Sequence, residues 1–296
     1  MNKVDVTIIG CGPAGMSAAL YLVRGGATVA IFEGEGIGGQ MAKAPLIENY
    51  PGFTGSGADL ADIMFEQIAN KVDLYLESVV EVDRTPDDVY ITTGEFGAKV
   101  ESDNIIIATG GKPIKLDIPG INGDNVHYCV TCDGALYADK VATVIGGGNS
   151  AMQYALELST ICKEVHLLVL LDELMGEKIW KERILNSNVH IHYNFDTAEI
   201  TDHSVISHTG EEVETDGVFM AIGYTPNVPN LKHIFCPVTT NGLINAGYRL
   251  ETEMGCYAIG DVRVKPFRQV VSAANDGMNA ALFILQCITM KESKDE

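Results

Sequence analysis

The chain has 296 residues, which exceeds the usual size of a single domain, so its length predicts two domains. Apolar residues make up 46% of the sequence and charged residues 20%, the balance of a globular protein with enough apolar material for a core. Asp+Glu 40 against Lys+Arg 20 gives a formal charge of −20, and because such a chain repels a phosphate backbone, nucleic acid is excluded as an expected partner.

The N-terminal segment and the cysteines favour a cytoplasmic location. Val4 already begins a strand-like run, which leaves no charged leader before it. Residues 6–23 are almost free of charge, but glycines and a proline interrupt them, so we expect no membrane span. The 7 cysteines are odd in number and, apart from one pair, scattered, which is typical of a reducing cytosol. The charged tail at residues 291–296 is predicted to be a solvated, frayed end.

The sequence contains the same motif twice. "VTIIGCGPAGMSAALYL" (Val6 to Leu22) aligns without a gap with "ATVIGGGNSAMQYALEL" (Ala142 to Leu158), and each copy predicts a strand, a glycine-rich turn and a helix. The turns are Gly10-x-Gly12-x-x-Gly15 and Gly146-x-Gly148-x-x-Ala151. In such a unit the first glycine makes the turn, the second lets the backbone approach a pyrophosphate, and the third lets the helix pack against the strand. Two copies predict an α/β fold with two Rossmann-like, three-layer ββα dinucleotide-binding domains.

The copies differ at the residue that should bind the ribose of the nucleotide. A dinucleotide-binding domain usually closes the strand after its helix with an acidic residue. Glu33 holds this position in the first copy, whereas Val169 holds it in the second and is followed by two leucines. We therefore expect a ribose anchor only in the first copy. The alternative is a small gap that brings Asp172 or Glu173 into register.

The stretch "YCVTCDG" carries a CxxC pair, Cys129 and Cys132, for which three interpretations compete. A zinc site needs about four ligands, and the sequence has no second CxxC; we expect the nearby His127 at the surface or beside the site instead of on a metal. A structural disulfide across so short a loop would contribute little stability in a reducing compartment. A redox dithiol fits the spacing and the compartment. A helix start predicted at "ALYADK" (residues 135–140) would stabilise the thiolates that attack disulfides.

Further motifs follow in a fixed order. They are GGQ (38–40), IENYPGF (47–53), IIIATGGKP (105–113), CVTCDG (129–134), AIGYTPN (221–227), YAIGDVR (257–263) and RQVVSAANDG (268–277). In this order and spacing, and together with the two glycine motifs, they resemble the low-molecular-weight thioredoxin reductases over essentially the whole chain.

The resemblance implies FAD as the cofactor and a homodimer as the assembly. It implies an FAD domain of residues 1–115 and 245–296, interrupted by a degenerate NAD(P)H-type domain of residues 116–244 that carries the CxxC pair. The first glycine motif would bind the pyrophosphate, Glu33 the ribose, and Asp261 the ribityl and phosphate region. For Asn49, an ordinary polar role at a strand end is equally open. The full set of implied FAD contacts is Gly10, Gly12, Pro13, Ala14, Gly15, Glu33, Gly39, Gln40, Asn49, Ala108, Thr109, Gly110, Asp261, Arg268, Gln269 and Val270.

The resemblance also divides the roles at the CxxC pair. Cys132 would face the flavin, and Cys129 would attack the disulfide of thioredoxin or a thioredoxin-like protein. Asp133 matches the proton donor and acceptor of the family; the alternative is a carboxylate that caps the following helix.

The chain departs from the family where NADPH should bind. The usual members carry a His-Arg-Arg cluster and a further Arg for the extra phosphate, and NADH-using relatives place a carboxylate at the first of these positions. Here the positions hold Val169, Leu170, Leu171 and Met175. Each hydrogen bond to a charged group contributes about 1.5–3 kcal/mol, so losing two or three would raise Kd by roughly 10³-fold or more. We expect the aliphatic run VHLLVLL (165–171) to pack and to fill the former cofactor groove.

A subset of the family that lacks the nicotinamide signature is reduced by ferredoxin, and this chain resembles that subset. A basic cluster beside the flavin site could receive an acidic ferredoxin, unless it binds FAD phosphates or forms ordinary ion pairs. The residues of this cluster are Arg263, Lys265 and Arg268. One alternative keeps NADPH or NADH, held by Lys163, Lys178 or Lys181. A second alternative is a flavin-binding regulator that turns over no disulfide.

Overall fold

The structure is a computed structural model that describes residues 2–295, with side chains described up to residue 290. The prediction for the side chains of the tail at 291–296 therefore lies outside the described part. Among the described residues, no helix is long and apolar enough to cross a membrane.

The chain forms two compact units. The first contains Met1–Ala42, Ile47–Lys112 and Thr225–Glu296, and the second contains Lys43–Leu46 and Pro113–Tyr224. Residues 225–244, which the sequence-based boundary assigns to the inserted domain, belong to the first unit. The reason is local: Leu231 pairs with Val82 at the edge of the first sheet, and apolar residues around it pack against the core of that sheet.

The first unit takes most of its elements from the N-terminal part of the chain. These are β1 (Asn2–Ile9), α1 (Pro13–Arg24), β2 (Val29–Phe32), α2 (Gly39–Ala42), β3 (Ile47–Tyr50), β4 (Phe53–Gly55), α3 (Gly57–Glu66), β5 (Asp73–Tyr75), β6 (Val79–Arg84), β7 (Tyr90–Gly94) and β8 (Lys99–Ile107). The chain leaves this unit through β9 (Gly111–Pro113).

The second unit follows. Its elements are β10 (Val126–His127), α4 (Val130–Asp133), a 3-10 helix (Gly134–Tyr137), β11 (Val141–Ile145), α5 (Asn149–Leu158), β12 (Glu164–Leu168), α6 (Lys178–Leu185), β13 (His190–His192), β14 (Thr197–Ile200), β15 (Ser204–Ser207), β16 (Glu212–Glu214) and β17 (Gly217–Met220). The chain then returns to the first unit. The elements of the return are β18 (Tyr224–Pro226), β19 (Leu231–Lys232), β20 (Glu251–Glu253), β21 (Cys256–Ala258), a 3-10 helix (Gly260–Val262) and α7 (Val270–Asp295).

The first unit is built on a large sheet whose central strands run in the order β7-β8-β1-β2-β5, with β21 also paired to β8. β1 is parallel to both β2 and β8, and β21 is parallel to β8. The β-branched runs in β1 and β8 are fully buried, as expected for strands covered on both faces. Helix α7 packs closely on α1: a Cβ on Gly277 would lie 2.2 Å from the carbonyl oxygen of Ala14, so the contact requires glycine.

The second unit has three layers. Its parallel sheet runs in the order β10-β17-β11-β12-β13. Val144 and Leu167 face α5 and α6, where they pack with Met152 and Trp180. Alternate residues such as Leu168 pack on the other side, against the antiparallel layer of β14, β15 and β16. The predicted α/β fold with two Rossmann-like domains is confirmed.

Candidate functional site

The carboxyl ends of four neighbouring strands meet at one edge of the first sheet. Ile9 of β1 is in register with Phe32 of β2 and Ile107 of β8, and Ile107 is in register with Ala258 of β21. Ten of the 16 predicted FAD contacts lie within six residues after one of these strands; the other six are Gly39, Gln40, Asn49, Arg268, Gln269 and Val270. Ligands of open parallel sheets bind outside the carboxyl ends of the strands, so this edge is the candidate cofactor site.

The first glycine turn has the geometry that its sequence predicts. Gly10 has φ +106°, and a Cβ there would lie 2.5 Å from the carbonyl oxygen of Ala108. A Cβ on Gly15 would lie 2.0 Å from the oxygen of Gly10, so the third glycine lets α1 contact the turn. Gly12 is the N-cap of α1 and Pro13 its first residue, while the buried Ala14 follows. A Cβ on Gly12 meets nothing closer than 4.0 Å, which leaves its amide open to a pyrophosphate at the positive end of the helix dipole.

The carboxylate of Glu33 is bound to the same turn. Its Oε2 accepts a hydrogen bond from the backbone N–H of Cys11 at 2.7 Å. Its Oε1 accepts from the N–H groups of Glu35 and Gly36 at 2.7 Å and 2.9 Å. A carboxylate has about four acceptor positions, so these three bonds fix its orientation and leave one position for a ribose hydroxyl.

Three predicted contacts carry buried polar atoms that have no hydrogen-bond partner among the described residues. These atoms are Oε1 of Gln40, Oγ1 of Thr109 and Oδ1 of Asp261. Burial raises the pKa of Asp261, while the charges of Lys265 and Arg268 oppose this rise. An unsatisfied buried acceptor costs about 1–3 kcal/mol. FAD offers hydroxyl and ring N–H donors, so the residues present fit this cofactor.

The remaining predicted contacts lie on four segments. Gly39 has φ +55° and begins α2, and the Nε2 of Gln40 donates to the carbonyl oxygen of Gly111 at 3.2 Å. Gly110 has φ +58°. Asn49 donates from Nδ2 to Oε1 of Gln269 at 3.1 Å, so the structure joins two predicted contacts that are far apart in sequence. Arg268 is exposed, and Val270 is the first residue of α7.

Of the alternatives left open for the basic cluster, ordinary ion pairs hold for two of its three residues. Arg263 and Lys265 both form ion pairs with Asp276, at 2.8 Å and 3.0 Å. The side chain of Lys265 is only 4% exposed, and that of Asp276 only 5%. The alternative of ordinary ion pairs therefore holds, and Arg268 alone of the three is exposed.

The CxxC pair forms a disulfide between Cys129 and Cys132, with the Cα atoms 5.3 Å apart. The helix predicted to start at residue 135 starts earlier: α4 begins at Val130, Cys129 is its N-cap, and residues 134–137 form a 3-10 turn. The physical reason is that Sγ of Cys129 accepts a hydrogen bond from the N–H of Cys132 at 3.2 Å, which caps the first turn. Cys129 is buried, whereas Cys132 is exposed.

Asp133 contacts His127, and through it Tyr137, two residues that sequence reasoning did not assign to the site. Its side chain caps no helix; its Oδ2 lies 3.1 Å from Nδ1 of His127. The Nε2 of His127 lies 2.7 Å from the hydroxyl of Tyr137. In the sequence, the signal for this contact is the histidine two residues before the first cysteine. Tyr137 gives no such signal, because its contact with His127 depends on how the 3-10 turn folds.

The second glycine turn has the same geometry as the first but lacks the acidic residue. Gly146 has φ +145°, and a Cβ there would lie 2.4 Å from the carbonyl oxygen of Ala221, as at Gly10. Where the carboxylate of Glu33 binds the first turn, the side chain of Val169 packs against the second: its Cγ1 would lie 2.9 Å from a Cβ on Gly147.

The aliphatic run 165–171 is buried only as far as Val169, so the prediction that it fills the groove fails for its last two residues. Val169 is 1% exposed. In contrast, Leu170, Leu171 and Met175 are 60%, 47% and 51% exposed. None of the four carries a charge, so the segment that should hold the adenosine phosphate is apolar and open.

Comparison with known proteins agrees with this geometry. The family model of pyridine nucleotide-disulphide oxidoreductases matches residues 4–277. The chain is 35% identical to the thioredoxin reductase of Bacillus subtilis, over 94% of this chain and 92% of the relative. The crystal structure of Lactococcus lactis thioredoxin reductase superposes with a TM-score of 0.91 at 32% identity, covering 97% of this chain and 99% of that one.

A ferredoxin-flavin thioredoxin reductase from Clostridium acetobutylicum matches with a TM-score of 0.55 at 27% identity, covering 98% of this chain and 99% of that one. The proteins of this family are FAD-binding flavoproteins, and FAD is the cofactor of this chain. The repeated glycine turns, the disulfide at the start of α4 and these matches lead to one conclusion: the chain belongs to the low-molecular-weight thioredoxin reductase family of the pyridine nucleotide-disulphide oxidoreductases.

Proposed function

We propose that the protein reduces the disulfide of thioredoxin, or of a thioredoxin-like protein, through Cys129 and Cys132. The observation that carries this proposal is the disulfide at the first turn of α4, directly followed by a carboxylate. FAD, once bound and reduced by the electron donor, would supply the electron pair that reduces this disulfide. Cys132 is the exposed member of the pair in this arrangement and receives the electrons. Cys129 then attacks the substrate, and Asp133 exchanges the proton.

Single serine variants test the dithiol. We expect Cys129→Ser and Cys132→Ser to retain FAD but to lose at least about 10³-fold in the rate of thioredoxin reduction, because each removes a reacting sulfur. Cys162→Ser is the matched control, since Cys162 forms no disulfide and lies in the same unit. If Cys132→Ser kept the wild-type rate, the proposed role of the dithiol would be wrong. If the wild-type protein itself reduced no disulfide, the flavin-binding regulator would replace the enzyme.

We infer that the electron donor is ferredoxin. Support comes from the second glycine turn, where Val169 occupies the position of an adenosine-binding side chain and its neighbours are uncharged. Among the lysines considered as substitutes, Lys178 is 89% exposed and pairs with Glu182. The similar ferredoxin-flavin thioredoxin reductase gives further support. NADPH is the second candidate donor, because Gly146 and Gly148 keep the geometry of a nucleotide-binding turn.

An anaerobic titration separates the two donors. We expect stoichiometric NADPH or NADH to leave the absorbance of the oxidised flavin unchanged for minutes, and reduced ferredoxin to bleach it within seconds. Bleaching by NADPH within seconds would refute the ferredoxin donor and leave the function of the dithiol intact. The cytoplasmic location and the homodimer stay predictions; equilibrium sedimentation tests the latter.

A further inference from the structure

Three side chains of the second unit form a hydrogen-bonded chain that ends at Asp133. Oδ2 of Asp133 lies 3.1 Å from Nδ1 of His127, and Nε2 of His127 lies 2.7 Å from the hydroxyl of Tyr137. The side chain of His127 is 13% exposed and that of Asp133 is 37% exposed. The carboxylate is thus open to solvent, while the imidazole behind it is largely enclosed.

The imidazole ring is fixed in place. It stacks on Phe219 with ring centroids 5.2 Å apart, and it meets the ring of Tyr137 edge-on at the same distance. The backbone is fixed as well, because His127 and Phe219 are register partners on the parallel strands β10 and β17. Packing against two aromatic neighbours restricts the ring from turning away from Asp133 when its charge changes.

The protonation pattern follows from the partners of each nitrogen. An ionised carboxylate only accepts, so Nδ1 of His127 carries a hydrogen, and in the neutral ring Nε2 accepts from the hydroxyl of Tyr137. Burial raises the pKa of Tyr137, and the charges of Asp133 and Asp216 raise it further, so the phenol stays protonated. Nζ of Lys140 lies over the ring of Tyr137, 5.4 Å from its centroid. A second proton on the imidazole makes Nε2 a donor to the phenol oxygen, which requires only that the phenol hydrogen rotates.

The contact joins an imidazole, a side chain that commonly relays protons, to a carboxylate that reaches solvent. Because the ring is largely enclosed and its other nitrogen faces the hydroxyl of Tyr137, a proton taken up by the carboxylate can pass to the ring and return by the same route.

We propose that His127 is a positioning residue that stores the proton which Asp133 exchanges; this rests on the proposed thiol–disulfide exchange. In that exchange the attacking thiol loses a proton and a new S–S bond forms. The substrate S–S bond breaks, and its leaving sulfur gains a proton. The proton lost by the thiol passes through Asp133 to His127, and the same route returns it to the leaving thiolate. Electrons and protons balance, since two enzyme thiols become a disulfide and the substrate disulfide becomes two thiols.

The test uses the FAD-loaded enzyme, reduced in advance with dithionite, and follows one turnover with oxidised thioredoxin between pH 5.5 and 9. His127→Asn keeps a donor near the position of Nδ1 but cannot titrate. We expect it to slow the exchange about tenfold or more above neutral pH and to shift the pH profile, within the range of general acid–base effects. The double variant His127→Asn, Asp133→Asn should be no slower than Asp133→Asn. His203→Asn, on an exposed turn of the same unit, is the matched control and should keep the wild-type profile.

A second measurement keeps the inference testable if thioredoxin is not the substrate. A small aromatic disulfide replaces thioredoxin in the same single-turnover assay, and NMR follows the titration of His127 in the wild type and in Asp133→Asn. A shifted titration in Asp133→Asn and a slowed small-disulfide reaction in His127→Asn support the proton store. The proton store is wrong if the rate of His127→Asn stays within twofold of the wild-type rate at every pH. It is also wrong if the rate loss of the double variant equals the product of the losses of the two single variants. If the wild-type enzyme reduces the small disulfide but not thioredoxin, the proposed substrate is wrong and the role of His127 stands.

Discussion

Asp276 is the residue whose replacement should damage the first unit most severely without touching the thiols. Its carboxylate is buried and accepts from the N–H of Gly260 at 3.0 Å, from two nitrogens of Arg263 at 2.9 Å and 2.8 Å, and from Nζ of Lys265 at 3.0 Å. Through Gly260 it fixes the 3-10 turn that carries Asp261, one of the predicted FAD contacts. We predict that Asp276→Asn destabilises this unit and weakens FAD binding.

The magnitude follows from the two cations that would lose their partner. Asparagine offers one acceptor oxygen, and its NH₂ group would point at a guanidinium or an ammonium. Breaking a buried ion pair by removing one partner costs about 3–5 kcal/mol. This corresponds to a factor of roughly 10² to 10³ or more in the folding equilibrium, out of a total stability of about 5–15 kcal/mol. Asp276→Asn with Lys265→Met should recover part of the loss, because the most deeply buried cation is then gone.

The assay is urea unfolding of the holoenzyme, followed by flavin fluorescence for the first unit and by far-UV circular dichroism for the whole chain. Burial alone would raise the pKa of Asp276, but hydrogen bonds and charges from Arg263 and Lys265 outweigh it, so the pKa lies below its usual value of 3.8. Its contribution is therefore present above pH 3.8 and is lost as the pH falls through the lower folded value. A loss under about 0.5 kcal/mol, or a difference from wild type that shrinks already near neutral pH, would refute the reasoning.

Three further predictions follow from the same structure. Gly10→Ala places a Cβ at a backbone φ of +106° and against the carbonyl oxygen of Ala108, so the flavin-to-protein ratio should fall. Gly146→Ala introduces a similar strain in the second turn and should keep the flavin. A loss of flavin in Gly146→Ala would contradict the assignment of FAD to the first turn. Glu33→Gln should raise the Kd for FAD by roughly 10- to 150-fold, measured by fluorescence titration, because it removes a charged acceptor; an unchanged Kd would exclude Glu33 as the ribose ligand. Burial lowers the pKa of His166 below 6.5, so the unfolded chain binds the proton more readily and stability falls as the pH drops below that value. His166→Asn should flatten this acid loss in urea unfolding at a series of pH values; an identical slope would exclude His166 as its source.

The sequence predicted the fold and the glycine turns because both depend on short-range patterns. Strand, turn and helix follow within about 20 residues, and the strained Gly10 and Gly146 stand where the motif requires them. The acid at Glu33 was predictable for the same reason. Apolar character alone could not separate the buried Val169 from the exposed Leu170, since the difference arises where β12 ends and the chain turns into a loop that no element covers.

Contacts between segments that lie far apart in the sequence could not be predicted from sequence patterns. The pairs Lys265–Asp276 and Asn49–Gln269 depend on where α7 packs in the first unit. A basic cluster in the sequence predicted a docking surface because its buried acidic partner stands on a later helix. His127 was placed near the site but not in it, because its contact with Asp133 exists only once α4 has formed.

The packing of α7 on α1 has a consequence for the order in which the two units fold during synthesis. Ser17 of α1 donates to the carbonyl oxygen of Ala274 at 2.7 Å, and Gly277 fits against Ala14. During synthesis α1 leaves the ribosome early, whereas α7 follows some 250 residues later, after about 10–50 s at typical elongation rates. The second unit is nearly continuous in the chain and can fold in that interval. The first unit has to wait, so we expect nascent chains to capture flavin only after α7 has emerged, and chaperones to hold the N-terminal strands until then.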